Sequence, residues 1–253
     1  MQRAEEGGRS SLDTTLLGGR VLLEQPEHGY RAAIDAVLLA AAAEPPQGAR
    51  VLELGCGVGA AILCLLARRP DLHAVGVELQ PELAALARRN ARANRVEARL
   101  DVVEGDAAAL PEALRQESFD WVIGNPPFNA AGAGGASPHP GKDLANREGG
   151  LDLAGWIDAM LRRLRPQGGL TLVHRADRLP DLLAALQGRA GAVALLPLWP
   201  KAGQPAKRLL LAARKGSRAP ACLLPGLVLH RKEEGYTAEA QGILRDGDAL
   251  PMG

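Results

Sequence analysis

Charge of one sign is missing from this chain as a whole. Its 253 residues carry a formal net charge of +1, so nothing in the overall balance announces nucleic acid, and any such surface has to be local. Cysteine is sparse. The three thiols, Cys56, Cys64 and Cys222, show neither metal-ligand spacing nor a disulfide pattern, which excludes a disulfide scaffold and predicts free thiols in a reducing compartment. No apolar run approaches the length of a membrane span. Met1 to Gly8 mixes Arg with two Glu and lacks an apolar core segment, so no signal peptide is expected and the reading is cytoplasmic. No internal repeat is visible. Aromatic residues make up only 3%, and Trp121, Trp156 and Trp199 fall on apolar faces and read as core or patch residues.

What the chain does have is alternation. Hydrophobic residues reach 47%, enough for one large α/β domain with extensions. Strand signals at 50–54, 73–77, 99–103, 119–123, 170–174, 192–196 and 209–213 are separated by helical ones at 60–69, 81–93, 153–164 and 179–186. Strands alternating with helices imply βαβ units and a mostly parallel sheet. Upstream, residues 1 to about 15 read as a polar tail, 21–30 as a small hairpin and 34–43 as a helix. The organisation expected is 1–48 as tail and helical extension, 49–218 as the main domain and 219–253 as a C-terminal extension packed on it. Residues 129–150, rich in Gly and Ala with Pro138 and Pro140, have no periodicity; such a loop is either a lid that orders over substrate or a loose insertion.

The chemistry gathers at the carboxyl ends of the predicted strands. Val51-Leu52-Glu53-Leu54-Gly55-Cys56-Gly57-Val58-Gly59 is a strand entering a glycine turn and then a helix, a place where backbone can approach a ligand closely. With Ala60 it also satisfies the loose dinucleotide fingerprint. Glu53 argues against a pyrophosphate and for the α-ammonium of a methionine moiety. Glu78, about twenty residues on at the end of the next strand, suits two ribose hydroxyls. Asp106, after the third strand, suits an adenine amine, or else serves as a helix cap. After the fourth strand comes Asn125-Pro126-Pro127-Phe128. The Asn side-chain carbonyl and the Pro126 carbonyl can accept both hydrogens of a planar –NH2 group, and Phe128 can stack on the plane carrying it. The prolines fix φ, remove two N–H donors and keep those carbonyls aimed.

Together these features resemble class I S-adenosylmethionine-dependent methyltransferases acting on amino groups. The narrower resemblance is to the bacterial tRNA1(Val) (adenine-37)-N6-methyltransferase family. It rests on Gly29-Tyr30-Arg31 leading into Asp35–Ala40, on Glu53 to Gly59, on Asn125 to Phe128, on Arg165-Pro166-Gln167-Gly168-Gly169, on the Leu198–Arg208 segment and on Tyr236 to Ala240. The family commonly has a hydroxyl residue where this chain has Ile34, and often Tyr where it has Phe128. The resemblance implies a Rossmann-like fold: a seven-stranded, mostly parallel sheet with helices on both faces and an antiparallel last strand. It implies S-adenosyl-L-methionine held by residues among Asp35, Glu53, Gly55, Cys56, Gly57, Gly59, Glu78, Leu79, Asp106, Ala107 and Asn125, with Asp35 near the methionine end, opposite the clamp. It makes Asn125, Pro126, Pro127 and Phe128 the catalytic amine clamp and requires no metal.

Three amines fit such a clamp: adenine N6, guanine N2 and a protein glutamine amide. Lys201, Lys207, Arg208, Arg214, Lys215 and Arg218, with no acidic residue among them, form a local basic segment suited to nucleic-acid phosphates, and the resemblance implies that the RNA is a tRNA. The plainer reading is a soluble sheet edge. A glutamine methyltransferase generally has a sizeable helical module before its catalytic domain, and only about fifty residues precede Val51. From another functional class, a nucleotide-binding module or RNA-binding scaffold without methyl transfer also fits the glycine turn.

Overall fold

The structure is a computed structural model and describes residues 11–27, 34–128 and 151–253. The expectations for 1–10 and for the 129–150 loop lie outside the described residues. A nine-stranded sheet forms the centre. Strands β3 (Arg50–Leu54), β4 (His73–Glu78) and β5 (Leu100–Glu104) run parallel on one side of the middle, and β6 (Phe119–Gly124) and β7 (Leu164–Arg175) continue parallel on the other. Beyond β7, the antiparallel β9 (Arg208–Lys215) separates it from β8 (Ala190–Lys201). Those seven strands, in the order β5-β4-β3-β6-β7-β9-β8, carry the expected topology. Two short strands, β10 (Cys222–Leu223) and β11 (Leu227–His230), add to the outer edge of β8 and make nine.

Side-chain alternation along the strands feeds two separate cores. Val51, Trp121 and Ile123 face one hydrophobic cluster shared with helices α1 (Ile34–Ala42), α2 (Ala60–Arg68) and α3 (Pro81–Ala93). Leu52, Leu54, Phe119 and Val122 face the other, built with Leu114 of α4 (Glu112–Arg115) and with α5 (Leu153–Arg163) and α6 (Leu179–Leu186). In α1 every residue from Ala36 to Ala42 is buried, the signature of a helix enclosed on all sides.

Two parts of the N-terminal reading need correction. The segment from Ser11 is no tail: β1 (Ser11–Leu16) pairs antiparallel with β2 (Val21–Pro26) across a turn in which Gly18 and Gly19 hold φ of 63° and 95°. A side chain at Gly18 would also run into the Arg245 carbonyl, 2.8 Å from its Cβ. The hairpin therefore has its second strand where the first was expected. It is fastened by two asparagines one helical turn apart, Asn90 on α3 and Asn94 at its C-cap. Asn94 and Asn90 accept from Leu22 N and Glu24 N at 2.9 and 2.8 Å and donate to the same residues' carbonyls at 2.7 and 3.0 Å, standing in for a neighbouring strand. At the far end, Thr237 caps α7 (Ala238–Gln241) by accepting from Ala240 N at 3.1 Å, and Leu250 N bonds back to Ala41 O at 3.0 Å, tying the C-terminal segment to α1.

Candidate active site

The carboxyl ends of β3, β4, β5 and β6 share one edge of the sheet, where open α/β sheets bind ligands. As β3 ends, Gly55, Gly57 and Gly59 take φ of 69°, 56° and 85°, the left-handed region that L side chains avoid. That requirement explains three glycines in five residues. Cys56 N bonds to Val77 O at 2.9 Å, and the thiol rests over Gly76, where a Cβ would lie 2.9 Å from Sγ. Gly76 is the room the loop needs on β4.

Two buried carboxylates brace this corner, Glu78 on the glycine loop and Glu53 on the first turn of α2. Glu78 is wholly buried, and its carboxylate accepts from Gly57 N at 2.7 Å and Gln80 N at 2.8 Å. Burial pushes its pKa up while those N–H groups oppose the rise. Glu53, only 3% exposed, accepts from Ile62 N at 3.0 Å and so caps the third residue of α2 from the adjoining strand. Its pKa is pushed up to about 8, first by burial, against the Ile62 N–H and with the Glu78 charge adding. Asp106 accepts from Ala108 N at 2.8 Å and closes a turn to Ala109; the cap it makes belongs to this turn, not to a helix. Gly55, Val77, Leu79, Gly105, Asp106, Ala107 and Trp156 line a narrow cleft at this corner. Trp156, read from sequence as core, is buried at 3% yet borders this cleft, and its indole N–H has no partner among the described residues.

Strand register brings the second half of the site alongside. Leu54 pairs with Gly124 in the parallel β3–β6 ladder, so Gly55 and Asn125 leave the sheet side by side, one strand spacing of about 4.8 Å apart. Met160 packs directly over Gly124, with Cε only 2.9 Å from where a Cβ would stand. The Asn-Pro-Pro-Phe turn therefore starts next to the first glycine of the loop. Phe128 at its end is held on two sides. His174, from the end of β7, meets it edge-on with ring centroids 5.4 Å apart and planes at 81°. The Arg208 guanidinium lies 4.3 Å over its centroid.

His174 has no exposed surface, and neither ring nitrogen makes a hydrogen bond of good geometry among the described residues. Burial lowers its pKa to about 4, opposed by the Pro127 backbone and reinforced by the positive charge of Arg178. Sequence reasoning gave it no role. Its place at the carboxyl end of a sheet strand was the available signal. Asp35, expected near the methionine end and opposite the clamp, instead pairs with Arg208 (Oδ2–Nε 3.3 Å) and is linked to Phe128 through that guanidinium. Burial raises its pKa and the Arg208 charge opposes the rise.

The basic segment does not form one surface. Because β9 runs antiparallel to β7, Arg208 lies beside Arg175 at the ligand edge while Arg214 lies beside Gly169 at the opposite edge, roughly 20 Å away along the strand. Lys201 and exposed Lys207 share the ligand edge with Arg208, and Lys201 Nζ donates to Lys232 O at 3.1 Å. At the far edge Arg214 lies 5.3 Å over the Trp121 ring, and Lys215 donates to Leu164 O at 2.7 Å with its pKa lowered by burial. Arg214 and Lys215 are thus separated from the clamp by the length of a strand. Among the described residues no group of His, Cys, Asp and Glu is arranged to hold a metal ion, and no helix is long and apolar enough to cross a membrane.

Residues 32–137 match the family model of the methyltransferase small domain. The chain is 33% identical over 166 residues to the tRNA1(Val) (adenine(37)-N6)-methyltransferase of Porphyromonas gingivalis, covering 63% of this chain and 64% of that protein, just under two thirds of its length. To the enzyme of that name from Aeromonas hydrophila it is 30% identical over 205 residues, covering 80% of this chain and 84% of the relative. A solved structure from Agrobacterium tumefaciens, described as a predicted O-methyltransferase, matches with a TM-score of 0.71 at 27% identity over 86% of this chain and 98% of that one. With this fold, this glycine corner and these relatives, the chain belongs to the S-adenosyl-L-methionine-dependent methyltransferases, in the family of the bacterial tRNA1(Val) (adenine(37)-N6)-methyltransferases.

Proposed function

We propose that this protein methylates N6 of an adenine in RNA, with a tRNA as the substrate class. The observation that carries the reading is the β3–β6 register, which sets the Asn125 turn beside the glycine loop. The donor set at that corner fits S-adenosyl-L-methionine. Glu53 is a buried carboxyl whose raised pKa would be relieved by a cation such as an α-ammonium. The backbone at Gly55, Cys56, Gly57 and Gly59 can approach a ligand closely. Glu78 would take the ribose hydroxyls, and Leu79, Asp106, Ala107 and Trp156 would receive the adenine. Bound there, S-adenosyl-L-methionine supplies an electrophilic methyl group.

The chain's own contribution is orientation and polarisation. The Asn125 side-chain carbonyl and the Pro126 carbonyl accept the two amine hydrogens. That draws the nitrogen lone pair out of conjugation with the ring and stabilises the positive charge growing on nitrogen. Phe128 holds the base plane, Pro127 keeps the turn rigid, and the proton leaves to water once the N–C bond has formed. No side chain has to be a strong base. At the ligand edge Lys201 and Lys207 would follow phosphates; a single-stranded loop, whose bases can be splayed out, is the natural partner.

The test is to incubate the protein with labelled S-adenosyl-L-methionine and tRNA from cells lacking it, then identify the labelled nucleoside by mass spectrometry. N6-methyladenosine is expected. Label found only in N2-methylguanosine, or no label in the RNA at all, would overturn the substrate assignment.

A further inference from the structure

Arg208 sits within a segment suited by composition to phosphate, yet its guanidinium is committed elsewhere. Nε donates to Asp35 Oδ2 at 3.3 Å, Nη1 donates to the Lys207 carbonyl at 3.2 Å, and Cζ lies 4.3 Å over the Phe128 centroid. The side chains of Arg208 and Asp35 are 33% and 15% exposed. A planar guanidinium stacks on an aromatic face in a way an ammonium cannot reproduce. His174 closes a second side of the same ring. Those three contacts fix the plane of the guanidinium over the Phe128 ring.

We propose that Arg208, oriented by Asp35, is a positioning residue that covers one face of Phe128 and sets the ring so that the target base is taken on the other. The proposal rests on the reading of Phe128 as the platform for the base. It separates Arg208 from Lys207, its exposed neighbour, which is left to meet RNA. Asp35, 90 positions before Asn125 in the chain, reaches the clamp through this cation.

Substitution of Asp35 separates the possibilities, because Asp35→Asn removes a negative charge. If Arg208 serves phosphates, releasing it from Asp35 should leave RNA binding as tight or tighter and the rate undiminished. If Arg208 positions the ring, Asp35→Asn and Arg208→Met should each lower kcat about 10- to 100-fold. Arg208→Lys should fail to restore it. The double variant should be no worse than Arg208→Met alone, since both act through one contact.

The probes are S-adenosylhomocysteine, followed by calorimetry, and an RNA stem-loop with one unpaired adenine, used for turnover. The same stem-loop with 2-aminopurine at that position reads stacking by quenching without requiring turnover. Weakened quenching in Asp35→Asn, with Kd for stem-loop and S-adenosylhomocysteine within about threefold of the parent, is expected; thermal melts establish that each variant is folded. Full activity in Arg208→Lys, together with a salt slope reduced by about one in Arg208→Met, would make Arg208 a phosphate ligand and end the proposal. Loss of S-adenosylhomocysteine binding in Asp35→Asn would return Asp35 to the cofactor site and end it equally. A parent protein that methylates no adenine defeats the functional reading, whereas a methylating parent matched by Asp35→Asn defeats only this one.

Discussion

Glu78 accepts a hydrogen bond from the backbone N–H of Gly57 at 2.7 Å, so the acidic residue of one strand fixes the glycine turn of the strand beside it. The same carboxylate receives Gln80 N at 2.8 Å, and the side chain is wholly buried. Removing it leaves two backbone donors without an acceptor, at about 1–3 kcal/mol for each that stays buried. Glu78→Ala should therefore lower the melting temperature and weaken S-adenosylhomocysteine binding at least about tenfold. Glu78→Gln should recover only part of either loss, because its NH2 end faces a donor. Calorimetry and thermal melts check this; an Ala variant that binds like the parent would remove Glu78 from the cofactor site.

The neighbouring Glu53 makes a prediction about protons. Its pKa stands at about 8 against an ordinary 4.5. The folded, ligand-free protein therefore holds this proton between those values while the unfolded chain releases it. That contribution to stability is fully present below pH 4.5 and is lost as pH rises through 8. An α-ammonium placed beside Glu53 favours the carboxylate and expels the proton. Binding of S-adenosylhomocysteine near pH 7 should then release close to one proton, seen as a dependence of the calorimetric enthalpy on buffer ionisation. Affinity should weaken as pH falls from 7.5 to 6. In Glu53→Gln the proton release should vanish. Identical enthalpies in buffers of different ionisation heat would place the ammonium elsewhere.

The sheet was legible in the sequence because its strands are short apolar runs punctuated by glycine, proline and helical periodicity. Pro81–Ala93 and Leu179–Leu186 have the expected bounds. The sequence signal for β8 covers only 192–196, while the strand runs Ala190–Lys201 through Pro197 and Pro200, residues that disfavour a strand interior. The structure admits Pro197 because the outer partners of β8 are two separate pieces, pairing at Leu195 and again at Leu198, so the missing N–H falls in the gap between them. Local pattern carries no information about such a gap. The same holds for the basic segment: composition grouped Arg208 with Arg214, and only the strand between them sends their charges to opposite edges. Asp35, Phe128, His174 and Arg208 come from four distant parts of the chain, so their contact could not be read from any one of them.

Asn125 should separate chemistry from binding. Its side-chain carbonyl is assigned chiefly to the amine, with any contact to the cofactor secondary, so Asn125→Ala should reduce kcat by about 10²–10³, the size of effect seen when one preorganised polar group is removed from a reacting centre. The Kd for S-adenosylhomocysteine should stay within about threefold. Single-turnover methylation of an RNA stem-loop and calorimetry of the same preparation provide the comparison. Parental turnover in Asn125→Ala would disprove the clamp.

His174 provides a test that requires no substrate. Its pKa of about 4 lies below the ordinary 6.5 because burial disfavours the imidazolium. The unfolded chain thus binds this proton more readily than the folded one, and stability falls as pH drops from 6.5 toward 4. The full loss through this one group is about 3 kcal/mol, to which carboxylates such as Glu78 add their own pH dependence. His174→Phe keeps an aromatic edge for Phe128 and removes the titration. Urea unfolding at pH 7 and pH 5 should show a smaller difference between the two pH values for the variant than for the parent. In NMR spectra of the folded parent the His174 ring signals should stay those of neutral imidazole down to about pH 5. A midpoint near 6.5 would mean that water reaches the ring, and that the edge-on support under Phe128 is looser than its packing indicates.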